Sequence, residues 1–418
     1  MQIRWLSSIV VIFVIFVVGS NFSPAWSDDD DKRQFPTSAT FTTLITTPRP
    51  IEGLTGDNHR NLYTGGSGAP SCPIWQINLN KPELTEVGFV KPTAGNCSFS
   101  GIAFNEIGDL FVADGAAGTI YTFKPTASSP PTATVFASGA PGANGLAFDK
   151  KGNLWASDGT TGRGRVWKIS GPGANCTSTP AVNCEEVFRI QPMSNEVNLD
   201  ASGAGGVGRD IRALPPGTIT VTPTTRNSAN LLGSQPIVAN GLAFNKNGDL
   251  FNIDTARGAL WKVEFDRDEN LKSPTGCDST FTANTLCLSN VFVAHPILEG
   301  GDGIALDREG NIWVAANERN AVAVITKNGK VHEVFRNPVN STGLRNSADT
   351  EEGNERILEF PTSPFLIGKV FCISQSDGNR RDNFPNTGGQ VSPAGPDIGK
   401  ISCMDQELKI PGLPLPID

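Results

Sequence analysis

The chain has 418 residues and a net charge of −8, and only 18% of its residues are charged. That balance leaves no basic footprint for nucleic acid or for an anionic membrane surface. The length would make two or three average domains, yet 45 Gly and 30 Pro suit a single loop-rich all-β domain, since an array of β-repeats can reach this size.

Taken in order, the N-terminus reads as an export signal. Arg4 precedes an apolar core from Ser8 to Gly19, and Ala25-Trp26-Ser27 offers a small-x-small cleavage site. The core falls well short of the ~20 apolar residues that a transmembrane helix needs. Residues 1–27 are therefore expected to be a signal peptide, with a retained signal anchor as the alternative. Residues 28–37, which open on Asp28 to Asp31 followed by Lys32 and Arg33, become an acidic flexible N-terminus of a secreted or periplasmic chain. After cleavage no stable membrane insertion is expected. Export also accounts for eight cysteines that fall in neighbouring couples: Cys72 and Cys97, Cys176 and Cys184, Cys277 and Cys287, Cys372 and Cys403. In an oxidising compartment these read as loop staples, and none forms a CxxC pair with metal-ligand spacing. Asn96-Cys97-Ser98, Asn175-Cys176-Thr177 and Asn340-Ser341-Thr342 would be glycosylation acceptors in a eukaryotic secretory route.

Beyond that point the chain uses one stretch repeatedly. It reads GIAFNEIGDLFVAD from Gly101, GLAFDKKGNLWASD from Gly145, GLAFNKNGDLFNID from Gly241 and GIALDREGNIWVAAN from Gly303. Each copy is an apolar run, a short polar loop with Gly, and a second apolar run, which is a β-hairpin. Weaker copies lie at Ile51 to Gly66 and Phe360 to Ser374, giving six units. Further strands between them, such as GTIYTFK, GALWKVEF and AVAVITK, bring each unit to about four strands, the content of a propeller blade. The predicted fold is thus an all-β, six-bladed β-propeller of four antiparallel strands per blade, one domain over 38–418. The early strand SATFTTLIT is spare and is expected to complete the last blade. Residues 191–235 carry no hairpin copy and read as a long loop insertion after blade three. Within it Gly203 to Gly208 matches GxGxxG, but no buried strand precedes it and no helix follows, so the dinucleotide reading fails.

Comparing the units in phase exposes the chemistry. The residue before the Gly that opens each inner strand is Glu52, Ser100, Asn144, Asn240, Asp302 and Ser363. Innermost strands line the channel of a propeller, so one repeat position maps onto one ring around the axis. Two carboxylates and two amides in that ring are the oxygen donors that hard cations prefer. The bland reading is that Asn, Asp and Ser start strands for turn reasons. Against it, Glu is a poor turn residue, and Glu52 and Asp302 would repel unless a cation sits between them. A second set, Asp114, Asp158, Asp254 and Asn317, ends the second strands; each alone reads first as a turn cap, and as a set they are expected to rim the same mouth and orient the ring amides.

The ring, with its contexts IEGLT, ANGLAF, ANGLAF and GDGIALDREGNIWVA, resembles the SMP-30/gluconolactonase/luciferin-regenerating enzyme family from about Pro48 to Met404. The resemblance implies a six-bladed propeller with one divalent cation, most often Ca2+ though Zn2+ or Mg2+ would serve, and hydrolysis of lactones or related esters. It assigns Glu52, Asn144, Asn240 and Asp302 as metal ligands, with Asp302 also the catalytic base. Physical chemistry agrees: a metal with free positions polarises a lactone carbonyl and binds the attacking water, and an adjacent carboxylate takes the proton. There is no GxSxG nucleophile elbow, and His59, His295 and His332 form no cluster. Trp155, Trp167, Trp261 and Trp313 read as blade core. Sugar-lactone members of the family place an Arg two positions before the third-blade Asn, where this chain has Gly142. The expected substrate is therefore an unspecified small lactone or ester. Two other classes share the blades: a strictosidine-synthase-like propeller, and a non-catalytic binding propeller of the NHL-repeat kind.

Overall fold

The structure is a computed structural model that describes residues 34–37, 39–93, 95–191, 237–317, 320–336, 358, 360–376 and 399–415. The signal peptide, most of the 28–37 stretch, the 191–235 insertion with its GxGxxG, and the Asn340 acceptor lie outside these residues, apart from Gln191 at the edge of the insertion. The described strands form six sheets, each a meander of antiparallel strands running outward from the axis. Blade one consists of Thr55–Gly56, Asn61–Gly65, Cys72–Asn78 and Lys81–Val90. Blades two to five begin on Phe99–Phe104, Ala143–Phe148, Leu242–Phe244 and Gly301–Leu306. Blade two gains a fifth strand, because Ala174–Asn175 pairs in parallel with Thr134–Ser138.

The ring closes as expected. Blade six takes Pro361–Ile367, Val370–Gln375 and Gly399–Met404 from the end of the chain and Phe41–Thr47 from its beginning. Phe41 stands opposite Met404 and Thr47 opposite Gly399, so the early strand covers the outer edge of the last sheet.

An aromatic of the hairpin packs neighbouring blades together in blades one to three. Tyr63, Phe111 and Trp155 lie edge-on to Phe104, Phe148 and Phe244 of the following blade, with centroids 4.9, 5.0 and 5.6 Å apart. Such contacts add roughly 0.5–1.5 kcal/mol each beyond the area they bury. Trp313 and Phe371 also meet between blades five and six, tilted at 43° with centroids 5.2 Å apart. Trp155, Trp167, Trp261 and Trp313 are all buried, which confirms them as core. The four cysteine couples named from the sequence are the four disulfides.

The hairpin loops are built alike. In blade two, Asn105 Oδ1 accepts from the backbone N–H of Ile107 and Asp109, at 3.2 and 2.8 Å. The loop glycines Gly108, Gly152, Gly248 and Gly310 adopt φ of 81 to 91°, which a side chain tolerates poorly. Blade one places Arg60, at φ 65°, in the same position.

The glycines that open the inner strands answer a different need. A Cβ on Gly53 would stand 2.2 Å from the carbonyl oxygen of Ser100. One on Gly101 would stand 2.0 Å from that of Asn144, on Gly145 2.7 Å from that of Asn240, and on Gly241 2.6 Å from that of Asp302. Each glycine therefore abuts the ring residue of the next blade, and the axis is as narrow as backbone contact allows. Below this collar Leu54, Ile102, Leu146, Leu242 and Ile304 line the channel, and the tail closes its far end with Leu413 and Leu415.

The two glycine roles are separable. Gly101→Ala is expected to lower the unfolding free energy by about 2–3 kcal/mol through backbone collision at the axis. Gly108→Ala, whose Cβ meets nothing within 4 Å, should cost only about 1 kcal/mol through its left-handed φ. Urea unfolding of both variants measures the difference, and equal losses would show that the axial contact is not tight.

Candidate functional site

The four candidate ligands come together. Glu52, Asn144, Asn240 and Asp302, from blades one, three, four and five, line one cavity of about 420 Å³ at the mouth of the channel, with Ser100 of blade two beside them. Asn144, Asn240 and Asp302 are buried, and Glu52 is half-buried. Local strand geometry aims them. The pairing register slips between Phe99 and Ile102, Ala143 and Leu146, and Gly301 and Ile304, so the inner strand bulges at the ring residue and its glycine. A bulge lets two residues oppose one and redirects a side chain, here toward the axis.

The same register corrects two phase assignments. In blade six Pro361 pairs with Gln375 and Pro364 with Ile373, as Gly301 with Ala316 and Ile304 with Val314 in blade five. The blade-six counterpart of Asp302 is therefore Thr362, not Ser363. Thr362 is fully buried and donates its hydroxyl to the carbonyl of Glu52 at 2.8 Å, bracing the blade-one ring residue.

The second set divides as well. Phe99 pairs with Asp114, Ala143 with Asp158 and Gly301 with Ala316, so Asn317 stands one residue beyond the aspartates. Its true counterparts are Gly115, Gly159 and Thr255, and these are the residues that meet the ring. Asn317 Nδ2 donates to Asp302 Oδ2 at 3.0 Å. Asn240 Nδ2 donates to Thr255 Oγ1 at 3.0 Å. The amide of Asn144 lies against Gly159, where a Cβ would come within 2.3 Å of Nδ2.

The three aspartates do not rim the cavity but cap the turns behind it. Asp158 Oδ1 accepts from the backbone of Thr161 and its Oδ2 pairs with Arg165 Nε at 2.8 Å. Asp254 does the same with the backbone and the guanidinium of Arg257, the latter at 2.8 Å, and also accepts from Trp261. Asp114 accepts only backbone N–H groups, from Ser98 and Ala117, and its Oδ2 is buried without a partner. Burial pushes all three carboxyls up, with Arg165 and Arg257 pulling Asp158 and Asp254 back down.

Asn240 bears on whether the donor set suits a cation. Thr255 spends its one hydroxyl hydrogen on the carbonyl of Gly301 at 2.6 Å, so it can only accept from Asn240. That fixes which way the amide points and leaves Asn240 Oδ1 buried with no hydrogen-bond donor. A buried acceptor without a donor costs about 1–3 kcal/mol, and a hard cation would satisfy it. Among the described residues no group of three His, Cys, Asp or Glu side chains could hold a metal. The ring offers two carboxylates and two amides instead.

Thr255 was missed by sequence reasoning, whereas Asn317, the partner of Asp302, was named but set in phase with the aspartates. The signal was present one position later in the repeat, but alignment on the aspartates concealed it. Ser98, Phe99, Thr160, Ile237 and Phe360, which wall the cavity, carry no repeat signal. Gly142 is held at φ 75°, and a Cβ there would come within 2.4 Å of Asp158 Oδ1. A side chain at this position would crowd those of Asp158, Thr160 and Thr161.

Comparison with known proteins agrees with this architecture. Residues 189–343 match the family model described as the SMP-30/Gluconolactonase/LRE-like region, a segment that contains Asn240 and Asp302 but neither Glu52 nor Asn144. No curated protein matches the chain. A luciferin-regenerating enzyme structure is similar at a TM-score of 0.51 and 12% identity, over 90% of this chain and 97% of that one. Regucalcin from Agrobacterium tumefaciens, a calcium-binding protein, gives 0.49 and 14%, over 90% and 96%. Virginiamycin B lyase from Staphylococcus aureus gives 0.42 and 11%, over 87% and 98%. At 12% identity the luciferin-regenerating enzyme structure speaks for the fold alone.

Asp114→Asn tests the electrostatics. The folded-state carboxyl of Asp114 is raised, so the ionised wild type is penalised above the ordinary carboxylate range and the penalty fades as pH falls and the group protonates. The variant is expected to be more stable than wild type by up to about 1 kcal/mol at pH 7, with the difference closing in acid. Thermal melts across pH read this, and a constant difference would contradict it.

The segment holding Asn240 and Asp302 thus matches the SMP-30/Gluconolactonase/LRE-like family model and is set in a six-bladed propeller.

Proposed function

We propose that the chain is a hydrolase that opens a small lactone or related ester at the collar of the channel, with one divalent cation, calcium first, as cofactor. The observation that carries this reading is the buried Asn240 Oδ1, fixed by Thr255 and lacking a donor, in a cavity shared with Asn144, Glu52 and Asp302. Glu52, Asn144, Asn240 and Asp302 would hold the ion. Two like charges in one cavity are balanced by a cation and opposed without one. When bound, the ion supplies Lewis acidity to the substrate carbonyl and acidifies water.

The chain's own residues supply the rest. Asp302, its carboxylate plane set by Asn317, takes the proton of the attacking water as its oxygen adds to the carbonyl carbon. The ring C–O bond then breaks, and Asp302 returns the proton to the departing alkoxide. The proton balance closes within one carboxyl, with no covalent enzyme intermediate. Phe99, Ile237 and Phe360 offer the substrate an apolar wall, while Ser98, Ser100 and Thr160 offer hydroxyls. The missing Arg at position 142 argues for a less polar lactone than a sugar lactone. Four disulfides fit an oxidising compartment, and the N-terminal signal would deliver the chain there by secretion or export to a periplasm. No helix among the described residues is long and apolar enough to cross a membrane.

The test is a panel of lactones and esters scored by proton release with calcium and with chelator, alongside melting curves. Calcium should raise the melting temperature of the wild type, and the shift should shrink in Glu52→Gln. Asp302→Asn should lower turnover by at least about 100-fold, the usual weight of a general base. A melting temperature indifferent to calcium would favour the binding-propeller class. Calcium bound with no panel member consumed would make the ion structural.

A further inference from the structure

The opposite mouth of the channel holds a second cleft. It has a volume of about 300 Å³ and lies where the bottom loops of blades five, six and one meet the C-terminal tail. Each loop sends one cation to its lining: Arg308 from blade five, Lys369 from blade six and Arg60 from blade one. All three are exposed, and among the described residues none makes an ion pair or a side-chain hydrogen bond. In the corresponding loop of blade three, Lys151 pairs with Glu269 at 3.4 Å. Two acids also line the cleft. Asp57 is committed inward, accepting from the backbone of His59 and Asn61, the Asn61 amide and the Tyr63 hydroxyl, and Glu407 is exposed.

Two further features single the cleft out. Arg60 occupies the left-handed position that four other blades give to glycine, so a basic side chain is retained here against backbone strain. The tail wall is also fastened in place. Gly412 N–H bonds to the carbonyl of Gly368 at 2.7 Å, Arg308 N–H to that of Pro411 at 2.9 Å, and Leu408 N–H to that of Lys369 at 2.8 Å. That fixed wall is apolar, with Leu413 and Leu415, and it leaves Leu415 43% exposed.

We propose that this cleft binds a small organic anion with an apolar body, its carboxylate or phosphate held by Arg60, Arg308 and Lys369 and its body laid against Leu413, Leu415 and Phe365. Three charged donors suit a compact anion, and the volume is that of a small-molecule site. The site is independent of the collar on the other face and of the hydrolase reading.

NMR titration of the full chain with hexanoate, hexanol and inorganic phosphate tests the proposal at low ionic strength. Hexanoate should bind saturably at one site and more tightly than either partial probe. Arg60→Gly relieves the strained backbone, so it should melt no lower than wild type, yet it should weaken hexanoate by about tenfold, the weight of one charge-assisted hydrogen bond. Arg308→Gln should weaken it similarly. The proposal is overturned if hexanoate does not saturate, if hexanol or phosphate binds as tightly, or if both variants keep wild-type affinity.

Discussion

The structure depends on how closely its inner strands approach. Where a glycine in one blade meets the carbonyl of the next blade's ring residue, a methyl group would collide at 2.0 to 2.7 Å in blades one to four. Those contacts set the bore of the channel. They are also the reason that residues separated by a hundred positions or more can face one cavity. The side chain before each glycine has nowhere to go but toward the axis, so the repeat that builds the fold also populates the site. The collar and the chemistry proposed for it are therefore one constraint seen twice.

Around that constraint the protein spends polar groups with purpose. Thr362 braces the carbonyl of Glu52, Thr255 turns the amide of Asn240, and Asn317 holds the carboxylate of Asp302. Thr255 and Asn317 share one repeat position just past the end of the second strand, while Thr362 stands at the ring position itself. The aspartates one step earlier do the structural work of closing turns, and two of them recruit an arginine to do so. A six-fold scaffold thus carries a site with no six-fold symmetry, because each blade varies the same two or three positions.

Much of this was legible in the sequence, since repetition converts a one-dimensional pattern into a ring. The blade number, the closing strand and the gathering of Glu52, Asn144, Asn240 and Asp302 all follow from phase, while the disulfides join cysteines that are merely neighbours along the chain. What was misread was also a matter of phase. Asn317 stands 14 residues after its repeat glycine where the aspartates stand 13 after theirs, and Ser363 fell one residue out because Pro364 was matched to that glycine while its register is that of Ile304. The orientation of Asn240 was beyond reach for another reason. It depends on a hydroxyl whose hydrogen is already taken by a carbonyl in the next blade, a relation with no trace in composition or spacing.

The strand that seals blade six has a consequence for how the molecule reaches this shape. Thr42 bonds to Asp405 across 363 residues of chain, and the whole early strand pairs with the last described one. A contact of such high sequence separation carries a large entropic toll until every intervening blade is in place. Ring closure is thus a late event in folding, and until it occurs the last sheet offers an open edge to any passing chain.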